Sequence, residues 1–338
     1  MKDRSNYLPK QFILIAFLLI ALLLLSIIAS LMFGSRALTI QEVIDGLITG
    51  NSESYETSIV QKRIIRTVFA ICCGAALGVS GVLMQSVTRN PIADPSILGV
   101  NTGAALFVVC GMTYFNINTA NHYIWFALAG AMIVSVFVFG ISSLGRGGAT
   151  PLKLVLAGAA TSVALTSLTT GIMIPRSFIM DQFRFWQVGS VGAGTWESVT
   201  LITPFLLIGI VIALFTAPAL NALALGEDVA TGLGVKTGFI KLMASFAAVM
   251  LCGATTAVAG PIAFVGLLAT HVVRLLIGAD IKFLLPMSAL TGATLLIISD
   301  VLGRLIGRPG ELEVGVLTAF IGAPLLIILA MKAKVRSL

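Results

Sequence analysis

Ten runs of apolar residues divide the chain, separated by short polar or glycine-rich breaks. They fall at 12–33, 64–85, 96–114, 123–144, 151–173, 196–216, 237–258, 261–277, 283–302 and 312–331. A helix rises 1.5 Å per residue, so about 20 such residues cross a hydrocarbon core of roughly 30 Å. The pattern therefore predicts an all-α polytopic membrane protein with about ten transmembrane helices. The first run carries no charge over its whole length, longer than the apolar region of a signal peptide, and SLMFGSRA is a poor cleavage site; it reads as a span.

Composition agrees with the pattern. Of 338 residues, 58% are hydrophobic and only 10% charged, against about 25% charged in soluble domains, too few to cover a water-facing surface. Lys and Arg set the orientation. With the N terminus inside, Lys2, Arg4, Lys10, Arg89, Arg146, Lys153, Lys236, Lys241, Arg274, Lys282, Lys332, Lys334 and Arg336 share one side, and the other eight of the 21 basic residues face out. Both termini are thus expected in the cytoplasm, with residues 1–338 forming one transmembrane domain behind a tail of residues 1–11.

The outward basic residues cluster. Lys62, Arg63 and Arg66 stand at the start of the second run, and Arg304 and Arg308 at the end of the ninth. Two readings fit: anchoring at the membrane interface, or an external docking surface for an acidic partner.

Several chemistries drop out. Cys72, Cys73, Cys110 and Cys252 lie in apolar stretches without CxxC spacing and read as small buried hydrophobes. No Gly-Lys dipeptide occurs, so the chain has no P-loop. His122 and His271 lack neighbours at metal-ligand spacing, and no metal or cofactor is expected. Gly78-Val79-Ser80-Gly81 mimics an intramembrane serine protease motif, but small-residue packing explains Ser80, and Gly74/Gly78 and Gly99/Gly103 are spaced for close helix contact. No catalytic residue is expected.

Three segments carry more. RNPIADPSILGV (89–100) spends two prolines between two spans; Pro91 and Pro95 stop helices, and Asp94 or Ser96 is placed to cap the third span with Ile97 and Leu98 in its first turn. The result is a stiff elbow, a hinge or a gate. PALNALALGEDVATGLGV (218–235) is too apolar for an ordinary loop and too acidic for the inner lipid interface; it reads as one or two brief helices forming a partner surface. The third, residues 259–332, opens one span at Gly260-Pro261.

The chain also resembles the membrane permeases of bacterial ABC importers for iron-siderophores, haem and vitamin B12, from about residue 60 to 331. The resemblance rests on GAALGVSGVLMQSVTRNPIADPSILGVNTGA (74–104), LVLAGAA (154–160), WQVGSVGAGTW (186–196), LNALALGEDVATGLGV (220–235), GPIAFVGLLATHVVRLL (260–276) and SDVLGRLIGRPGELEVGVLTAFIGAPLLI (299–327). It implies ten helices per subunit and a homodimer, or a heterodimer with a similar permease. It also implies two cytoplasmic ATPase subunits that use the ATP, an extracytoplasmic substrate-binding protein, no nucleic acid, and a bacterial cytoplasmic membrane. Asn90, Pro91, Ile92, Thr150 and Pro151 then form the cytoplasmic gate. Segment 218–236 becomes the coupling segment, with Leu225, Gly226, Glu227, Asp228, Ala230, Leu233 and Gly234 toward the ATPase. Arg63, Arg66 and Arg304 match positions that dock the binding protein, and Leu156, Ala160 and Ala164 are candidate pore-lining positions.

Departures from the family pattern are Arg63-Ile64-Ile65-Arg66 for Arg-x-Pro-Arg, Thr270-His271 for Pro-His, and Glu311-Leu312-Glu313-Val314-Gly315 for Glu-Leu-Pro-Val-Gly. The expected cargo is an iron(III)-siderophore, ahead of haem and cobalamin, moved by alternating access. The rival is an ion- or proton-coupled secondary carrier, which usually holds ionisable groups at mid-membrane; the predicted spans hold almost none away from their ends.

Overall fold

The computed structural model describes residues 8–48, 55–115, 117, 119–144 and 150–332; Lys2, Arg4, Arg146, Lys334 and Arg336, used above for orientation, lie outside them. Thirteen α-helices and one 3-10 turn make up the described chain. In order they are α1 (Leu8–Met32), α2 (Ile40–Ile48), α3 (Tyr55–Thr88), the turn Pro95–Leu98, α4 (Val100–Tyr114), α5 (Ala120–Ser143), α6 (Pro151–Met173) and α7 (Ser177–Val188). There follow α8 (Trp196–Ala224), α9 (Glu227–Gly232), α10 (Thr237–Ala259), α11 (Val265–Ile277), α12 (Ile281–Ile306) and α13 (Val314–Lys332).

Among the described residues, seven helices (α1, α3, α5, α6, α8, α10 and α12) are long and apolar enough to cross a membrane, and α4, α11 and α13 are shorter apolar helices. Each of the ten apolar runs overlaps one of these. Helix α3 is the axle. At 34 residues it is about 51 Å long, and it packs on α8, α10, α11 and α12. The contact is backbone on backbone. A Cβ at Gly74 would lie 2.5 Å from the Gly292 carbonyl oxygen, one at Gly78 2.1 Å from that of Ser288, and one at Gly81 2.4 Å from that of Gly266. Without a hydrophobic force between helices in lipid, such close approach is what holds them together.

Helices α2 and α7 were not anticipated. Both are too short or too polar to be spans, but α2 has a legible start in Thr39-Ile40-Gln41-Glu42. The Thr39 N–H donates to Glu42 Oε2 at 2.6 Å and the Glu42 N–H to Thr39 Oγ1 at 3.3 Å, a reciprocal capping box. Those bonds to Thr39 hold the Glu42 carboxyl below the usual range.

Two expectations are corrected. Ile97 and Leu98 do not open α4: they belong to the separate 3-10 turn, because Gly99 adopts φ +75° between the two. Gly99 is therefore a breaker that also abuts α5 at Val134, while Gly103 meets the backbone of α5 at Gly130. And residues 218–224 are not a brief cytoplasmic helix. They continue α8 through Pro218, since the run Ala-Leu-Asn-Ala-Leu-Ala after the proline is strongly helix-forming.

Candidate translocation, coupling and docking sites

The elbow is built from short-range hydrogen bonds. Helix α3 ends at Thr88, and Arg89 turns the chain with φ +50°. The Ile92 N–H donates to Asn90 Oδ1 at 3.1 Å and the Ser96 N–H to Asp94 Oδ1 at 2.9 Å, so each polar residue before a proline closes its own small turn. Pro91 and Ile92 are exposed while Ala93 and Leu98 are buried. Thr150 repeats the device at the start of α6, accepting from the Lys153 N–H at 3.4 Å with Pro151 in the first turn. The two parts are joined through α6: a Cβ on Gly158 would stand 1.7 Å from the Ile97 carbonyl oxygen. Substituting Gly158→Ala is expected to push the elbow off α6 and cut transport without preventing assembly, measured as substrate uptake per mole of purified complex.

The candidate coupling segment hangs between two long helices. Gly226, at φ +127°, breaks the chain after α8 and α9 follows. Ala230 is buried and anchors the segment, whereas Leu225, Val229 and Leu233 are exposed together with Asp228, Gly232 and Gly234. Glu227 is already engaged: both of its carboxylate oxygens accept from Lys241 Nζ at 2.8 Å. The bond from Lys241 holds its carboxyl below the ordinary glutamate range. A depressed carboxylate keeps its partner at neutral pH and loses it only as pH falls through that lowered value. Glu227 thus ties α9 to α10, and Asp228 beside it is exposed.

Leu156, Ala160 and Ala164 lie four residues apart on α6, and all three are exposed in the single chain. Leu154 and Gly158 face inward instead. Helix α6 therefore presents one long uncovered stripe.

The arginines depart most from expectation. Arg63, Arg66 and Arg304 do not form an exposed patch. Arg63 is 6% exposed, and its Nη1 donates to the carbonyls of Leu31 and Met32 at 2.7 and 2.9 Å. Arg304, 2% exposed, donates to the Ser30 and Phe33 carbonyls and to Ser30 Oγ. Arg308 Nε reaches the Gly34 carbonyl at 3.1 Å. The C-terminal carbonyls of α1 have no partner in their own helix, and cations there also meet the negative end of its dipole. Arg63 of α3 and Arg304 of α12 supply what α1 lacks, and Arg308, just past α12, holds the chain where it leaves α1.

Arg66 sits over the centre of this cluster. Its Nε and Nη2 fork onto Asp300 at 2.7–3.1 Å, and its Nη1 reaches Glu311 at 2.7 Å. Asp300 also holds Arg304 at 3.0 Å. The forked carboxylate contact anticipated for a partner is thus made within the chain. Only Glu311, with 39% of its side chain exposed, stands at the rim. Asp300 was not singled out from the sequence, although a lone acid four residues before Arg304 in an apolar run calls for a cationic partner.

Ser80 is spent on packing: its Oγ donates to the Ala248 carbonyl at 2.7 Å in a fully buried position. Among the described residues no group of three His, Cys, Asp or Glu could hold a metal ion.

Comparison with known proteins meets this geometry. The FecCD transport family profile matches residues 22–332. The chain is 41% identical over 304 residues, 90% of each protein, to the ferric enterobactin transport system permease protein FepD of Escherichia coli (strain K12). It is 35% identical over 281 residues, 80% of this chain and 82% of the other, to the hemin transport system permease protein HmuU of Yersinia pestis. A solved inward-facing metal-chelate type ABC transporter aligns with a TM-score of 0.82 at 28% identity, over 95% of this chain and 99% of that one. Spanning helices, a stiff elbow and a short exposed helix slung between α8 and α10 are what a transport subunit needs, and the chain belongs to the FecCD transport family as a multi-pass membrane permease.

Proposed function

We propose that this permease carries an iron(III)-siderophore from an extracytoplasmic binding protein into the cytoplasm, as one of two permease subunits above two ATPases. In this reading α1, α3–α6, α8 and α10–α13 cross a bacterial cytoplasmic membrane, both termini lie inside, and the uncovered face of α6 meets the second permease across the path. The observation that carries it is α9. Its exposed Asp228 and Val229, with Leu225 and Leu233 flanking it, suit a cleft on a partner, and the Glu227–Lys241 pair ties it to a long buried helix. Closure of the ATPases then moves α9 and α10, and the elbow at 89–98 answers. Docking of the binding protein is proposed for the rim around Arg66 and Glu311; Arg63 and Arg304 support that rim from below.

Purification from native membranes in mild detergent, with mass spectrometry of stoichiometric companions, tests the assembly. A P-loop ATPase at one copy per permease is the expected result. Finding none in an intact preparation turns the reading toward a secondary carrier. A second test separates the two by mechanism. Glu227→Gln keeps the shape of α9 but weakens its tie to Lys241, and uptake is expected to fall about fivefold or more with ATPase activity less responsive to the binding protein. A proton-driven carrier is indifferent to that substitution.

A further inference from the structure

The cleft between α5 and α10 holds a cavity that the transport parts described above leave unused. Its volume is about 190 Å³, Phe139 and Gly140 of α5 face Leu242 and Phe246 of α10 across it, and Leu98 at the end of the 3-10 turn borders it. Two serines line it as well, Ser135 and Ser245, each 4% exposed. Neither hydroxyl has a hydrogen-bond partner. That sets them apart from Ser142 of α5 and Thr255 of α10, buried hydroxyls that donate to the Val138 and Leu251 carbonyls one turn back.

The lining selects the occupant. Water in a cavity makes two to four hydrogen bonds, typically three, and two hydroxyls in an otherwise apolar lining supply only the minimum. Val136 and Leu242 at the margin are exposed on helices long and apolar enough to cross a membrane, so the medium at the mouth is acyl chain. Depth fits too. Ser245 stands one turn, about 6 Å, from Lys241, whose ion pair with Glu227 marks the polar boundary. The headgroup layer is about 5–8 Å thick, so ester oxygens lie near the level of Ser245.

We propose that this cleft binds one acyl chain of a membrane phospholipid, with the Ser135 and Ser245 hydroxyls donating to its ester oxygen. The bound chain lies against Leu98 and so abuts the elbow.

The test uses the permease purified with its companion subunits, in nanodiscs of phosphatidylethanolamine and phosphatidylglycerol. A trace of phosphatidylethanolamine carries a photoactivatable diazirine on one acyl chain. Cross-links are expected to concentrate on residues 132–140 and 242–249, well above the exposed face of α8 at Leu207, Ile208 and Val211. Gly140 lines the cavity and a Cβ there meets nothing within 4 Å, so Gly140→Phe has room to enter it and should abolish the excess. Ser135→Ala with Ser245→Ala, which leaves the shape intact, should lower it about tenfold through two lost hydrogen bonds. Cleft labelling no denser than that of α8 overturns the proposal. So does unchanged labelling in the serine pair, or in an assembled Gly140→Phe protein.

Discussion

Gly78→Leu is expected to yield a permease that fails to assemble. The first atom of the new side chain would stand 2.1 Å from the Ser288 carbonyl oxygen and 2.8 Å from its carbon. These are backbone atoms of α12, which cannot swing aside as a flexible side chain can. Overpacking in a core costs about 1–3 kcal/mol when side chains absorb it; here α3 and α12 must separate, and the cost lies at or beyond the top of that range. Gly74 and Gly292 sit in the same seam, so separation there also loosens their contact. Fluorescence-detected gel filtration across a temperature series measures the effect. A monodisperse Gly78→Leu protein with unchanged melting would show that the seam is not what holds α3 to α12. Gly171→Leu serves as the control, because a Cβ at Gly171 meets nothing within 4 Å.

That seam also shows what could be read in advance. The Gly74/Gly78 spacing pointed to close helix contact, and the contact is there; its partner helix, α12, was not legible, because small-residue spacing names a face and not what covers it. The ten apolar runs each found a helix for the same reason, since hydropathy reports burial in lipid directly. Ends were harder. Helix α3 begins at Tyr55, nine residues before the run at 64–85, because Lys62, Arg63 and Arg66 interrupt the apolar pattern without interrupting the helix. Charge itself was the misleading signal. An arginine at a span end looks exposed in a one-dimensional reading, and only the fold shows that α1 ends beside α3 and α12 with carbonyls in need of donors. The elbow was legible as stiff from Pro91 and Pro95, yet its brace at Gly158 required the third dimension.

Asp300→Ala is the second substitution with a large expected effect, and it tests whether the arginine cluster is architecture. Asp300 is the one carboxylate shared by Arg66 and Arg304, and its side chain is 4% exposed. Removing it leaves Arg304, itself almost wholly buried, without its ion-pair partner, and leaves Arg66 with Glu311 alone. Breaking a buried pair by deleting one partner typically costs about 3–5 kcal/mol, since the remaining charge stays desolvated. Asp300→Asn retains acceptor oxygen but not charge and should fall between. The damage should spread to α1, whose last carbonyls depend on the same arginines, so proteolytic cleavage near residues 33–38 should rise in both variants, more in Asp300→Ala. The decisive comparison is Asp300→Ala combined with Arg66→Met. If the penalty is an unpaired charge, deleting one of the two cations recovers part of the lost melting temperature, although each single substitution is destabilising. Strict additivity of the two losses would mean that Asp300 and Arg66 act independently, and the cluster would then be a set of separate contacts and not one ion network fastening α1 to the bundle.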